Sequence, residues 1–449
     1  MIHILSNIRN FLWGYLALFT ICGYGIFFSV KTKLFPFTAI QETFYNLFNF
    51  NKNKTDGITP LMSLSTALGG TVGIGSIIGV AYAIKIGGYG VIFWMWVSGI
   101  IGMMAKFSEC SLAVKYREKE NDIYIGGTPY ILKKSDHKFL AFIFAILCII
   151  SSFSTGNISQ INGLCSSLSS FSIKSEYIAF IGALIIFLII IKGQKIIGKV
   201  NEFLMPLSSI IYIILITLIL INNISSIPNS INLIIRDAFG FKEISGGFFV
   251  SHIIRSFRIG FSKGVFSHEA GMGTSPFAHA SNTSATPISG GVLGMFEVFF
   301  DTFIVGTMTG LALISSGEFD VGRMFKIYFG NLGEIILVAL LIIFVIAAMI
   351  SWCFYAESCL SFLKAKKWVK VLYRVTFSFT VIIGAIISSN EAWIISDILN
   401  FAMLLPNIYI LTLRNNEVIN IIESNKITTN KKIIWRRSND GSFNFNRKT

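Results

Sequence analysis

Two stretches of this chain mix apolar residues with glycines, hydroxyls and charges in a way that could do chemistry. In 63–84, Gly69, Gly70, Gly73, Gly75 and Gly79 are interleaved with Thr71 and Ser76. Glycines this dense disfavour a continuous helix and let a ligand approach the backbone closely. Where a helix is interrupted, free N–H groups suit a carboxylate and free carbonyls suit a bare cation. The second stretch, 258–276, repeats the pattern with Gly260, Gly264, Gly271 and Gly273 among Ser262, Lys263, Ser267, His268 and Glu269. The competing explanation for each is a glycine-rich face for packing helices together. A third group is ionisable: Lys106, Glu109, Arg255, Arg258, Glu297, Asp301 and Asp397 lie in or at the ends of apolar runs. Charges there are costly, so function is weighed first and a buried ion pair second, for example Arg258 with Glu269 or Asp301. Lys106 and Glu109 stand three apart on one helix face and are expected to pair. His268 is either proton-sensitive or simply polar, and His279 is assigned no chemistry.

The elements that hold these residues follow from composition. Of 449 residues, 53% are hydrophobic and 13% charged, whereas a soluble domain carries about 25% charged residues. Apolar runs recur near the length of about 20 residues that crosses a bilayer. The expected spans are 11–30, 60–84, 89–110, 139–168, 177–191, 203–222, 247–261, 288–315, 335–356, 369–389 and 392–413. The first is too long, and lacks the small-residue site, for a removable signal peptide. Setting it aside leaves two units of five spans, each opened by a glycine-broken stretch, and an odd number inverts the second unit. Paired interruptions of this kind point to a solute site near mid-membrane. The expected organisation is 1–56, an N-terminal helix and basic linker; 57–223 and 224–413, the two repeats; and 414–449, a basic and partly disordered tail.

The net charge of +14 is not spread evenly. It gathers in 31–59, 115–138, 192–202, 362–374 and the tail, which places those segments in the cytoplasm and the N-terminus outside. That distribution argues against a nucleic-acid partner. The six cysteines form no CxxC or metal-ligand spacing and read as small packing residues. No HExxH, no G-x-S-x-G around Ser267 and no phosphate-binding loop are present, so neither an enzyme nor direct ATP drive is expected.

ALGGTVGIGSIIGVA, GVIFWMWVSGIIGMMAKFSECSLAVKYRE, KGVFSHEAGMGTSPFAHA and GMFEVFFDT resemble the alanine/glycine:cation symporter family of prokaryotes, over about 11–413. The resemblance implies an all-α polytopic membrane protein with a leucine-transporter-like 5+5 inverted repeat and one extra N-terminal helix. It further implies inner-membrane uptake of a small neutral amino acid, alanine or glycine, with sodium or in some members a proton. No resident cofactor is implied, and oligomeric state is left open. By the match, Gly73, Ile74, Gly75 and Ser76 form the loop that binds the substrate carboxylate. Gln160 and Asn162 fall on polar positions near the substrate, Trp352 walls its side-chain pocket, and Gly260 with the following turn supplies the facing broken helix. A sodium site is implied at Gly70, Thr71 and Ser351, partly through backbone. The sequence departs from the family at Ile74 and Ser76, at His268, and at Ala347 and Ala348, where the family tends to carry hydroxyls. Sodium takes about five or six oxygens, as hard cations do, so these alanines open a proton-coupled carrier, an uncoupled facilitator or a non-transporting sensor as alternatives.

Overall fold

A computed structural model describes residues 2–33, 35, 57–120, 123–168, 174–240 and 247–424. Most of the expected basic linker and the tail beyond 424 lie outside the described residues. Helix α1 (Ile2–Phe11) runs through a π-helical turn, Leu12–Leu16, into α2 (Ala17–Lys31). Helix α3 (Pro60–Thr71) starts where Thr59 caps it: its hydroxyl accepts the Met62 N–H at 3.1 Å, and Pro60 occupies the first turn, where a missing N–H costs nothing. After Val72, α4 (Ile74–Gly87) continues the same span, and α5 (Val91–Lys115) returns across the molecule.

A short antiparallel hairpin, β1 (Glu118–Glu120) and β2 (Ile123–Ile125), leads to α6 (Thr128–Lys134). Then come α7 (Lys138–Phe153), a π turn at Ser154–Ile158, α8 (Ser159–Leu168), α9 (Ser175–Ile190), α10 (Gln194–Asn222) and α11 (Ile227–Ala238). Next are α12 (Gly247–His268), α13 (Pro276–Ser281) and α14 (Pro287–Val298), which passes through a π segment, Phe299–Gly306, into α15 (Thr307–Ser316). Helix α16 (Val321–Phe362) bends at Gly330, whose φ of 64° suits glycine. Helices α17 (Lys367–Ile386) and α18 (Ser389–Leu413) complete the array.

Among the described residues nine helices are long and apolar enough to cross a membrane. Two expected spans fall short. Helix α9 has 16 residues, and α12, though 22 residues long, carries Arg255, Arg258 and Lys263. Length and hydropathy therefore do not establish the expected count of eleven.

Helix α5 lies at the centre, packed along α12 on one side and α14 on the other. The glycine pattern explains the first contact and corrects one expectation. Gly260 is not at a break: α12 runs straight through it to His268. A Cβ at Gly260 would sit 2.4 Å from the Val91 carbonyl, and one at Gly264 would sit 2.0 Å from Ser98 Oγ. Gly260 and Gly264, four apart on one face, let α12 press its backbone onto α5, which is the packing role of small residues. The interruption comes later, at 269–275. There Glu269, Gly271 and Gly273 take φ of 52°, 85° and 76°.

Candidate functional site

The first interruption is sharp. Thr71 ends α3, Val72 is extended, and Gly73 (φ −153°) caps α4. Extended φ does not demand glycine, but space does: a Cβ on Gly73 would stand 3.3 Å from Gln160 Oε1. Gly75 faces the Phe266 ring, and Ile74 packs onto Gly163 of α8. Gln160 is held by its Nε2, which donates to the Thr155 carbonyl at 3.4 Å. Its Oε1 is buried without a hydrogen-bond partner among the described residues, and so is the indole Nε1 of Trp352. Buried polar atoms are nearly always bonded, so Gln160 Oε1 beside the break is free to meet a polar solute, with the Trp352 indole on the neighbouring α16. The π turn Ser154–Ile158 presses Gly156 against Trp352: a Cβ there would fall 2.2 Å from Trp352 Cβ. Trp352 is fully buried and meets Tyr355 edge-on at 5.9 Å.

Gly73, Ile74, Gly75, Ser76, Gln160 and Trp352 thus sit on the elements that meet at the break. Asn162 is directed elsewhere. Its Nδ2 donates to the carbonyls of Gly384 (3.2 Å) and Ile387 (2.8 Å), tying α8 to α17.

The oxygens expected to hold sodium are occupied differently. Thr71 Oγ1 turns back onto Ala67 and Leu68 carbonyls of its own helix. Ser351 Oγ donates to the Ala347 carbonyl and accepts from Asn201 Nδ2, both at 2.8 Å. Gly70 faces the Tyr355 hydroxyl, so Gly69 and Gly70 chiefly let α3 approach α16.

A second oxygen cluster lies on the other side of the break. Ser76 Oγ donates to Asp301 Oδ1 at 2.5 Å, and Ser267 Oγ donates to Asp301 Oδ2 at 2.7 Å. The two hydroxyls are 3.0 Å apart, and Ser76 Oγ lies 3.3 Å from the Thr71 carbonyl. Asp301 is buried on the π segment after α14 and makes no ion pair among the described residues. One carboxylate, two hydroxyls and a carbonyl are the hard donors an alkali cation takes. The sequence marked Asp301 and Ser76 separately. Nothing in it joined Ser76, Ser267 and Asp301, which come from three distant elements.

Beyond the second interruption lies an ionic network. Lys106 Nζ stands 3.6 Å from both Glu109 and Glu297 and donates to Ser275 Oγ at 2.8 Å. Glu109 Oε2 accepts from the Gly273 N–H (3.1 Å) and Asn407 Nδ2 (2.8 Å). Glu269 Oε2 accepts from Thr274 at 2.6 Å. His279, to which the sequence assigned nothing, joins Glu297 through Nε2 and Ser63 of α3 through Nδ1 (3.3 Å). The expected Lys106–Glu109 pair is present, within a network that clamps the 269–281 hairpin to α3, α5, α14 and α18. Asp301 and Glu269 are held by hydroxyls, while the Arg258 guanidinium lies against Gly14.

Two interrupted or distorted helices, meeting inside an array of apolar helices, define a fold of the leucine-transporter type. Solved structures share this fold. MhsT in complex with L-phenylalanine is 16% identical with a TM-score of 0.54, covering 81% of this chain and 90% of that one. An Eremococcus coleocola manganese transporter is 13% identical with a TM-score of 0.53, covering 81% and 80%. The chain belongs to the sodium:alanine symporter family, whose model matches residues 1–434. The sodium/alanine symporter AgcS of Methanococcus maripaludis is 31% identical over 438 residues, 93% of this chain and 96% of that protein. An uncharacterized transporter of Haemophilus influenzae is 32% identical over 419 residues, 90% and 92% of the two chains.

Proposed function

We propose that this protein is a symporter that imports a small neutral amino acid, alanine or glycine, together with a cation, sodium in the first instance. The observation that carries the reading is the Val72–Gly73 break. Among the described residues, Gln160 Oε1 and Trp352 Nε1 there have no hydrogen-bond partner and the Asp301 carboxylate has no ion-pair partner. The N–H groups of Ile74 and Gly75, at the start of α4, take the substrate carboxylate, while the Ser76 N–H donates to the Gly73 carbonyl at 3.2 Å. Gln160 meets the polar end of the solute, and Trp352, braced by Gly156, limits its side chain. The cation sits by Asp301, Ser76, Ser267 and the Thr71 carbonyl. Ser76 belongs to both sites, so each ligand favours the arrangement that binds the other, which is the coupling a symporter needs. The two units 57–223 and 224–413 rock about this point, with the N-terminus outside and the tail in the cytoplasm.

Uptake of radiolabelled alanine and glycine into proteoliposomes tests this, with an inward sodium gradient, an inward proton gradient or neither. Accumulation with sodium is expected. Accumulation with protons alone moves the ion assignment to a proton, equilibration without accumulation means a facilitator, and no flux overturns the reading. Gly156→Ala is expected to push the indole into the pocket. With an overpacking cost of about 1–3 kcal/mol, it raises the KM for alanine roughly tenfold, read in the same assay.

A further inference from the structure

The basic segments of the chain differ in what their charges touch. Around the β1–β2 hairpin, Lys133 and Lys134 meet Glu118, Lys115 meets Glu417, and Arg117 donates to the Ala280, Asn282 and Ala285 carbonyls. The turns between α9 and α10 and between α16 and α17 are not neutralised in this way. Residues 191–199 and 364–374 hold seven lysines and Arg374 and no acidic residue. Lys192, Lys195, Lys199, Lys364, Lys366 and Lys367 are exposed and make no ion pair among the described residues. The two turns are fastened side by side. Arg374 Nη1 donates to the Ile191 carbonyl at 3.1 Å, while its Nε pairs with Glu357. Gln194 Nε2 donates to Ser358 Oγ at 2.9 Å, and Lys370 Nζ donates to Ser361 Oγ at 2.8 Å. Ser358 and Ser361 stand three apart on one face of α16, so the starts of α10 and α17 flank a single turn of that helix.

Like charges gathered at one corner repel each other unless an anion lies among them. Lys195 and Lys367 add to this, since each stands in the first turn of its helix, where the dipole favours negative charge. Apolar surface adjoins the charges: Trp368 and Leu372 of α17, Leu188 of α9 and Phe203 of α10 are exposed. Lysines at the ends of apolar spans, beside an exposed tryptophan, belong at the level of lipid headgroups. We propose that the α9–α10 and α16–α17 turns form one binding surface for an anionic phospholipid. Its phosphate lies between the lysines that open α10 and α17, and its acyl chains follow Trp368 and Leu372. A free phosphate has no use for that apolar flank, which is why the surface fits a lipid. Bound there, the lipid ties α10 to α17. Helix α10 also carries Asn201, which donates to Ser351 Oγ of α16, and Gly198, which packs on Met62 of α3. The lipid therefore steadies a helix that touches both the broken span and α16, whichever solute or ion is carried.

The test combines native mass spectrometry and thermal melts of the full-length protein in detergent, with phosphatidylglycerol or phosphatidylcholine of the same chains added. Phosphatidylglycerol is expected to bind about thirtyfold more tightly and to raise the melting temperature more, because each lysine near an anionic lipid contributes roughly a fivefold factor. Raising choline chloride should shrink the difference. Lys195→Gln/Lys367→Gln should lose the preference, and Lys195→Arg/Lys367→Arg should keep it. Lys133→Gln/Lys134→Gln makes the same change in net charge where the lysines are paired, and should also keep it. Equal binding of the two lipids by the wild type overturns the proposal. So does a preference that survives in Lys195→Gln/Lys367→Gln, or one that falls equally in both glutamine pairs. If sn-glycerol 3-phosphate stabilises as well as phosphatidylglycerol, the lysines serve a free phosphate and the lipid surface is overturned. Poly-L-glutamate that binds and is not displaced by phosphatidylglycerol overturns it in favour of an acidic protein. Should the glutamine pair fail to fold, the salt response of the wild type and the arginine pair decides: a preference that choline chloride leaves intact in both overturns the proposal.

Discussion

Lys106→Met is expected to remove most of the folded protein and all of the transport. Lys106 is fully buried, and its Nζ lies 3.6 Å from both Glu109 and Glu297. Methionine fills nearly the same space but leaves two carboxylates facing each other, with Glu269 close by. Removing one partner of a buried ion pair costs about 3–5 kcal/mol, because the remaining charge stays desolvated. The two acids are not equally exposed to the loss. Glu109 keeps the Gly273 N–H and Asn407, and Glu297 keeps His279. The double variant Lys106→Met/Glu297→Gln should therefore recover part of the yield, since one uncompensated charge disappears with its partner. Size-exclusion profiles and thermal melts in detergent would read both. A single variant that melts like the wild type and transports normally would show that the network is dispensable.

The same network connects stability to motion. Ser63, on the half of the broken helix before the interruption, reaches His279 at 3.3 Å and donates to the Ala278 carbonyl at 3.0 Å. These are the contacts that must part if α3 swings away from the hairpin while the rest of the network stays closed. Single hydroxyl contacts from α3 to the hairpin, backed by the Lys106 ion pairs behind it, suit a carrier that cycles. A net hydrogen bond of roughly 1 kcal/mol can open on every turnover, whereas a buried ion pair cannot.

What the sequence disclosed depended on periodicity. Apolar runs and dense glycine placed the helices and the first interruption, because both signals are local. The second interruption was only bracketed. Gly260 and Gly264 look like Gly271 and Gly273 in composition, yet the first pair packs α12 on α5 and the second pair turns the chain. Only positive φ separates them, and that is set by what α12 meets. The π segments were invisible for a related reason. Ser154–Ile158 aims Gly156 at Trp352, and Phe299–Gly306 carries Asp301. Each adds a residue to a turn, so a side chain there leaves the face that a 3.6-residue period assigns it. Asn162 shows the converse: a polar residue two places from Gln160 points away from the break, to α17.

Asp301→Asn is expected to uncouple the protein. The amide has the size of the carboxylate and can still accept one hydroxyl proton, so the packing of the π segment survives while the charge is lost. Without it, the cluster keeps two serine hydroxyls and the Thr71 carbonyl, none of which attracts a cation strongly. Accumulation driven by the ion gradient should fall to equilibration, and the half-saturating sodium concentration should rise more than a hundredfold or become unmeasurable. Equilibrium binding of alanine at high substrate should persist, because the first turn of α4, Gln160 and Trp352 are untouched. Ser76→Ala and Ser267→Ala each remove one charge-assisted hydrogen bond, worth about 1.5–3 kcal/mol, and should weaken the ion dependence by roughly tenfold or more. Ser76→Ala should also weaken alanine binding, since Ser76 stands in the turn that receives the substrate, whereas Ser267→Ala should not. That asymmetry distinguishes a coupling site from a merely structural carboxylate, whose loss would lower alanine binding and ion dependence together in all three variants. If Asp301→Asn accumulates alanine with wild-type sodium dependence, the cation lies elsewhere. Gly70, Thr71 and Ser351, with the hydroxyls of Thr71 and Ser351 turned from the helix backbone toward the ion, would then be the place to look.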